Sequence, residues 1–295
     1  MKRATKERAI HLALFGVAAV SVIVLALIAV FLFWEGLPLF GGISVADFLF
    51  GQFWYPTYDP PEFGAFPLVL ATLAVAALAG AMAIPLGVMT AIYLAEIAGP
   101  TVRECFKPVV ELLAALPSVV IGFFGMVLVA PFLQDTLDVL TGLNLFNAAL
   151  MLAFMSIPTI CSIAEDAVRS VPQPLRDASL ALGATHLETI VRVVIPAAIS
   201  GISTAVILGL SRAIGETMVV LMVAGGAAIV PVSLFDPVRP LPATIAAEMA
   251  ETPVGSPHYH ALFALGIVLF LFTLVFNLVA DHLAQRYRQV GDASL

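Results

Sequence analysis

The chain has 295 residues, of which 61% are hydrophobic and only 11% charged, with a formal net charge of −7 and a mean hydropathy of +1.06. Ordinary soluble domains are about a quarter charged, so this composition excludes one and indicates an integral membrane protein. The acidic balance carries little meaning until the charges are assigned to sides of the membrane.

A helix needs about 20 apolar residues to cross a ~30 Å hydrocarbon core. Six such runs begin near His11, Phe66, Val109, Leu145, Ala197 and Tyr259. The first follows MKRATKER, which has the look of a signal-peptide n-region. His11 to Phe33 is too long for the matching apolar region, so the run reads as an uncleaved anchor. The second extends to about Leu94, with a kink expected at Pro85. In the fourth, Ser156, Pro158, Thr159 and Ser162 dilute the second half. Eleven of the thirteen basic residues fall in the N-terminus, the second and fourth loops and the C-terminus. Positive-inside bias therefore predicts an all-α integral membrane protein with six transmembrane helices and both termini cytoplasmic.

The first outer loop is acidic and rich in aromatics, Gly and Pro. Trp34, Trp54, Tyr55 and Tyr58 suit an interfacial belt, with a docking surface for an external partner as the alternative. Cys105 and Cys161 fall on or near the cytoplasmic side, where no structural disulfide is expected. No Cys or His cluster has zinc-like spacing, and His258 and His260 read as solvated loop residues. Pro85, Pro117, Pro131, Pro158 and Pro196 recur in or at the ends of spans. Freed backbone groups at that depth are tolerated where they are buried in protein or line a cavity, which favours a translocation pathway. In the fifth loop, LPATIAAEMAE predicts a short outer helix between Pro242 and Pro253.

The fourth loop is EDAVRSVPQPLRDASLALGATHLETIVRVVIPAA. Pro174 suits the first turn of a helix, on which Leu175, Ala178 and Leu182 share a face opposite Arg176. Gly183 breaks that helix, and Thr185 with Glu188 makes a capping-box pattern for the next. Leu187, Ile190, Val191 and Val194 form its apolar face, and Pro196 is expected to end it. The apolar stripes of these two short helices would rest on lipid, on the protein's own spans, or in the groove of a soluble partner.

DASLALGATHLETIVRVVIP resembles the EAA loop of ABC-importer permeases of the MetI-like family. Asp177, Ala178 and Ser179 stand at the E-A-A positions, Gly183 at the glycine, and Val193 to Pro196 at the closing I-x-L-P. The departures are Asp for Glu, Ser for Ala, Val for Ile and Ile for Leu. RAIGETMVV, with FGAFPLVLATL, IPLGVMTAIYLAE, ELLAALPSVVIGFFG and MLAFMSIPTICSIAEDAVRSVP, is similar to phosphate permease subunits, the PstC type more than the PstA type. The likeness is strong from about Phe63 to Ala224, weak over Pro242 to Glu251, and says little about the first span and outer loop.

The resemblance implies a MetI-like permease fold whose EAA loop seats in a cytoplasmic ATPase through Asp177, Ala178, Ser179, Gly183 and Pro196. Residues 1–64 would hold the tail, first span and outer loop, residues 65–284 the permease core with its coupling loop at 165–196, and residues 285–295 a cytoplasmic tail. The implied assembly adds a PstA-like second permease, two PstB-like ATPases and a PstS-like phosphate-binding protein, in the cell (inner) membrane. No GxxxxGK[ST] occurs, so ATP and Mg²⁺ would be bound by the separate ATPase, and the chain itself is expected to be a transport subunit without enzyme activity or cofactor.

Within the fifth run, Arg212 and Glu216 are four residues apart, so on a continuous helix they share a face and pair. Arg212 lies ~24 Å beyond Pro196 at 1.5 Å per residue, too deep to snorkel, so it should face the bundle interior or a water-filled path. A guanidinium fork suits phosphate oxygens. Arg212, Glu216 and Thr217 are therefore the candidate pathway residues, with a purely structural ion pair as the alternative. Another oxyanion, such as molybdate, tungstate or sulfate, fits the same charge. A secondary transporter would call for inverted repeats with broken helices, and none is visible. Whether the chain pairs with itself or with a paralogue is open.

Overall fold

In the computed structural model the backbone is described for residues 2–292 and the side chains for residues 10–282. Among these, six helical stretches are long and apolar enough to cross a membrane: Ile10–Gly41, Phe66–Ile97, Ser118–Leu137, Leu145–Arg169, His186–Ile214 and Pro257–His282. The helices in chain order are α1 (Lys2–Gly36), α2 (Val45–Phe50), α3 (Phe66–Ile92), α4 (Pro100–Ala114), α5 (Ser118–Phe124), α6 (Ala130–Leu137) and α7 (Leu145–Arg169). They continue with α8 (Gln173–Ala181), α9 (His186–Thr189), α10 (Ile195–Ile214), α11 (Met218–Val223), α12 (Leu241–Glu248) and α13 (Pro257–Asp292).

The core is built on α7, which is sandwiched between α3 and α10. Small residues let these backbones approach, as in other helix pairs packed within lipid. A Cβ on Gly87 of α3 would lie 2.9 Å from Ile160 of α7, and one on Gly209 of α10 would lie 2.5 Å from the same residue. Nearer the basic end, a Cβ on Gly201 would come within 2.4 Å of Ala167. Ile160, fully buried, is thus held between two glycine-lined faces.

Two span boundaries differ from the sequence expectation. The apolar run near Val109 is not one helix: α4 stops at Ala114, Pro117 precedes α5, and the span proper starts at Ser118. A residue before proline is pushed out of the α region, which divides the run at Leu116. Conversely, Pro196 does not end a helix. The chain passes from α9 into α10 through a π-helical turn at Ile190–Val194, and Pro196 sits in the first turn of α10. The wider turn accommodates the proline ring and the carbonyl left without a donor, because proline has no N–H. The same device, Gly125–Val129, precedes Pro131 at the start of α6.

The end opposite the basic loops carries a cap made by the first and fifth loops. It includes a two-residue hairpin, β1 (Trp54–Tyr55) antiparallel to β2 (Glu62–Phe63), so the chain is mostly rather than wholly helical. Phe48, Trp54, Phe63 and Leu241 pack there with Leu262 and Leu265 of α13. Trp54 is buried, not part of an exposed belt, whereas Trp34 and Tyr58 remain exposed. Its indole Nε1 donates to Glu248 Oε2 at 3.0 Å, and Glu248 also pairs with Arg239 at 2.6 Å and His258 at 2.8 Å. His258 is therefore engaged rather than solvated, as is His260, whose Nδ1 lies 2.7 Å from the Glu35 carbonyl. The predicted fifth-loop helix exists as α12, with Leu241, Pro242, Ala243 and Thr244 buried.

Candidate functional site

The fifth span breaks at the residues singled out in the sequence. α10 ends at Ile214, Gly215 takes a non-helical φ/ψ, and α11 starts only at Met218. The four-residue spacing of Arg212 and Glu216 therefore no longer places them on one helix face, and they form no ion pair. Glu216 Oε1 instead accepts from the backbone N–H of Met218 at 3.2 Å and of Val219 at 3.4 Å. A carboxylate satisfying the orphan donors of a helix start is a favourable cap. Thr217 Oγ1 donates to the Gly215 carbonyl at 3.4 Å and is partly buried, as is Glu216.

That capping leaves Arg212 alone. Its side chain is exposed and has no hydrogen-bond or ion-pair partner among the described residues. Its depth follows from packing: Ser156 Oγ, near the middle of α7, donates to the Gly209 carbonyl at 3.5 Å, one turn before Arg212. The arginine thus lies near the middle of the bundle and continues an exposed stripe through Thr204 and Leu208.

A second interrupted helix lies at the same level. α11 packs on α5, where a Cβ on Gly122 would lie 3.3 Å from Val219 Cα and 2.9 Å from Met222 Sδ. The Leu116–Pro117 break before α5 is therefore placed close to the Gly215–Thr217 break before α11. The Pro117 carbonyl is met by the Val120 N–H at 3.0 Å, and Leu116 is packed against the core. Two helix breaks side by side within the bundle, with Glu216 and Thr217 at one of them, suit a cavity or path rather than a lipid-facing wall.

The fourth-loop geometry agrees with its sequence pattern. Gly183 adopts φ +86°, which favours glycine, between α8 and α9. Thr185 accepts from the Glu188 N–H at 3.3 Å while its own N–H donates to Glu188 Oε2 at 2.9 Å, closing the capping box. The α8 stripe faces away from the protein: Leu175, Ala178 and Leu182 are exposed, the last at 90%. Of the other coupling candidates, Asp177 is exposed and accepts from Gln173 Nε2 at 3.0 Å, and Pro196 is exposed. Ser179 Oγ lies 2.9 Å from Thr189 Oγ1, tying the two arms of the loop together. The expected apolar face of the second arm is split, with Ile190 and Val194 buried and Leu187 and Val191 exposed.

Residues 83–289 match the family model described as binding-protein-dependent transport system inner membrane component. The chain belongs to this family. Among the permease's relatives is the probable ABC transporter permease protein YqgH of Bacillus subtilis, 39% identical over 88% of this chain and 84% of that protein. The phosphate transport system permease protein PstC of Mesorhizobium japonicum is 36% identical over 91% and 88%, and that of Haemophilus influenzae is 33% identical over 87% and 85%. In fold the permease resembles the MetNI methionine ABC transporter in inward-facing form, with a TM-score of 0.59 at 19% identity over 74% of this chain and 93% of that one. It also resembles a bacterial ABC transporter that imports alginate, with a TM-score of 0.57 at 16% identity over 75% and 78%.

Three groups of the permease escaped sequence reasoning. Glu165, assigned to the loop, is 1% exposed at the end of α7, where Arg103, Lys107 and Arg169 approach it at 3.1, 3.0 and 3.6 Å. Burial works against the Lys107 ammonium, but the Glu165 and Asp166 carboxylates together hold its pKa above the ordinary lysine value. Arg176, placed on the polar face of α8, turns inward to Glu96 at 2.7 Å. The Trp54–Glu248–Arg239–His258 group joins three outer segments. A charged residue set against an apolar run, the signal that singled out Arg212, was also present at Glu165.

Proposed function

We propose that this chain is a transmembrane subunit of an ATP-driven importer of inorganic phosphate, and that it shares the translocation path with a second, PstA-like permease. The observation that carries the reading is Arg212: exposed, unpaired and deep in the bundle beside two broken helices. A bare guanidinium there costs about 2.5–3.5 kcal/mol on insertion scales and is retained only where water or another polar surface covers it. It lowers the barrier for a passing anion and recognises oxyanion geometry, while holding no partner that would compete. Curated relatives that carry the name of phosphate transport permease, at 33–36% identity over most of the chain, support phosphate as the solute.

Glu216 and Thr217 act differently from Arg212 in this reading. The carboxylate fixes the start of α11, and with it the shape of the break, rather than neutralising the arginine. ATP is hydrolysed by two cytoplasmic PstB-like subunits seated on the exposed α8 stripe, and a PstS-like protein delivers phosphate from outside. Both termini are cytoplasmic. In proteoliposomes of the copurified complex, Arg212→Gln should abolish ATP-driven uptake of radiolabelled phosphate while the complex still assembles. Wild-type rates from that variant would refute the pathway role, and uptake of molybdate or sulfate but not phosphate by the wild type would refute the solute.

A further inference from the structure

The exposed α8 stripe explains how an outside partner would grip the permease, but not how movement leaves the loop for the spans. One side chain has the geometry to do this. Arg176 lies on the side of α8 opposite the stripe, and its side chain is only 14% exposed. Nη2 donates to Glu96 Oε1 at 2.7 Å and to the Val168 carbonyl at 3.0 Å, and Nη1 donates to the Val171 carbonyl. Glu96 is itself 6% exposed and lies in the π-helical turn Tyr93–Ile97 that closes the second span. Val168 and Val171 flank the C-terminus of α7, where a cation suits the unmet carbonyls. One guanidinium therefore clamps α8 to the ends of the second and fourth spans at once.

The other arm of the loop reaches the same point. His186 Nε2, at the start of α9, lies 3.2 Å from the Glu96 carbonyl, and the Ser179–Thr189 contact links the arms. Glu96 thus receives α8 through its side chain and α9 through its backbone. A guanidinium with three acceptors in fixed directions resists sliding, whereas an apolar contact would let α8 slip along the spans. We infer that Arg176 is a positioning residue for transport, passing displacement of α8 to the second and fourth spans, with Glu96 as its receiver. This rests on the importer reading above and adds the link between the docking loop and the path.

The test compares copurified wild-type, Glu96→Gln and Arg176→Gln complexes in proteoliposomes, measuring phosphate taken up per ATP hydrolysed. Glu96→Gln keeps the size of the side chain and leaves both carbonyl contacts of Arg176 in place, so the loop stays docked. The expected result is ATP hydrolysis within twofold of wild type, with uptake per ATP reduced at least tenfold. Arg176→Lys, which keeps the charge without the planar fork, should recover less than half of the lost coupling. An unchanged ratio in Glu96→Gln overturns the inference. So does failure of both neutral variants to assemble, because the pair would then serve the fold alone. A second measurement does not depend on the solute: spin labels at Leu180, on α8 but outside the docking stripe, and Met89, both exposed, should keep their separation through the ATP cycle in wild type and change it in Glu96→Gln. If that pattern appears while wild type moves no phosphate, the assigned solute falls and the linkage stands; if the separation changes equally in both, the linkage falls.

Discussion

Glu165 offers the sharpest test of the packing at the basic end. It is the most buried member of its cluster, whereas the side chains of Arg103, Lys107 and Arg169 retain 27%, 28% and 44% exposure. Breaking a fully buried pair costs about 3–5 kcal/mol because the remaining charge is stranded. Which charge is stranded then decides the outcome. In Glu165→Gln the three cations left behind already touch water, so screening cuts the loss to about 2 kcal/mol. In Arg103→Gln with Lys107→Gln, the carboxylate stays buried with only Arg169 at 3.6 Å, and the loss approaches the full buried-pair value. At about 2–4 °C per kcal/mol, Glu165→Gln should lower the apparent melting temperature in detergent by about 4–8 °C, and the double variant by more. Maleimide labelling of Cys161, one turn from Glu165 and 1% exposed in the native fold, should accelerate in the same order. A double variant more stable than Glu165→Gln, or Cys161 protected equally in both, would refute the assignment of the carboxylate as the buried partner.

Other expectations follow from single contacts. The raised pKa of Lys107 means that its charge contributes stability fully below pH 10.5, and that this is lost as pH rises through the higher folded value; Lys107→Gln should therefore flatten the loss of stability in melts taken above pH 10.5. Gly201→Leu must force α7 from α10, since even a Cβ meets Ala167 at 2.4 Å, whereas Gly16→Ala meets nothing within 4 Å; overpacking costs about 1–3 kcal/mol, and only the first should reduce the yield of folded protein on size exclusion. Glu248→Ala strands Arg239 and His258 and frees the Trp54 indole, so tryptophan emission should shift to the red and the outer cap should become open to protease.

The number of spans was legible because hydropathy over about 20 residues is a property of composition, blind to what any helix packs against. The capping box at Thr185 and the turn at Gly183 were legible because their partners lie within three residues. What failed depended on distance. Arg176 was placed on a solvent face because its acceptor, Glu96, is 80 residues away, and Glu165 looked like the start of a loop because two of its cations lie on α4. The Arg212–Glu216 pairing assumed an unbroken helix. The apolar residues on both sides of Gly215 hid the stop there, and the local preference of Glu216 for two free N–H groups settled the competition. At Pro196 a π turn removed the penalty that a proline rule takes for granted.

These contrasts bear on why Arg212 stands apart. At the basic end, Arg103, Lys107, Arg169 and Arg176 each reach a carboxylate, and at the opposite end Arg239 reaches Glu248. Those sites lie where water is close and an unpaired cation would cost least. The deep site has the reverse arrangement, with the nearest carboxylate in sequence turned away onto the α11 backbone and the guanidinium left bare. Packing stability would favour the opposite distribution, since the penalty for an unpaired charge grows with depth. A chain facing lipid on all sides could not hold Arg212 cheaply. The exposed stripe of Thr204, Leu208 and Arg212 therefore calls for a polar cover and not for lipid tails, which is what the proposed path supplies.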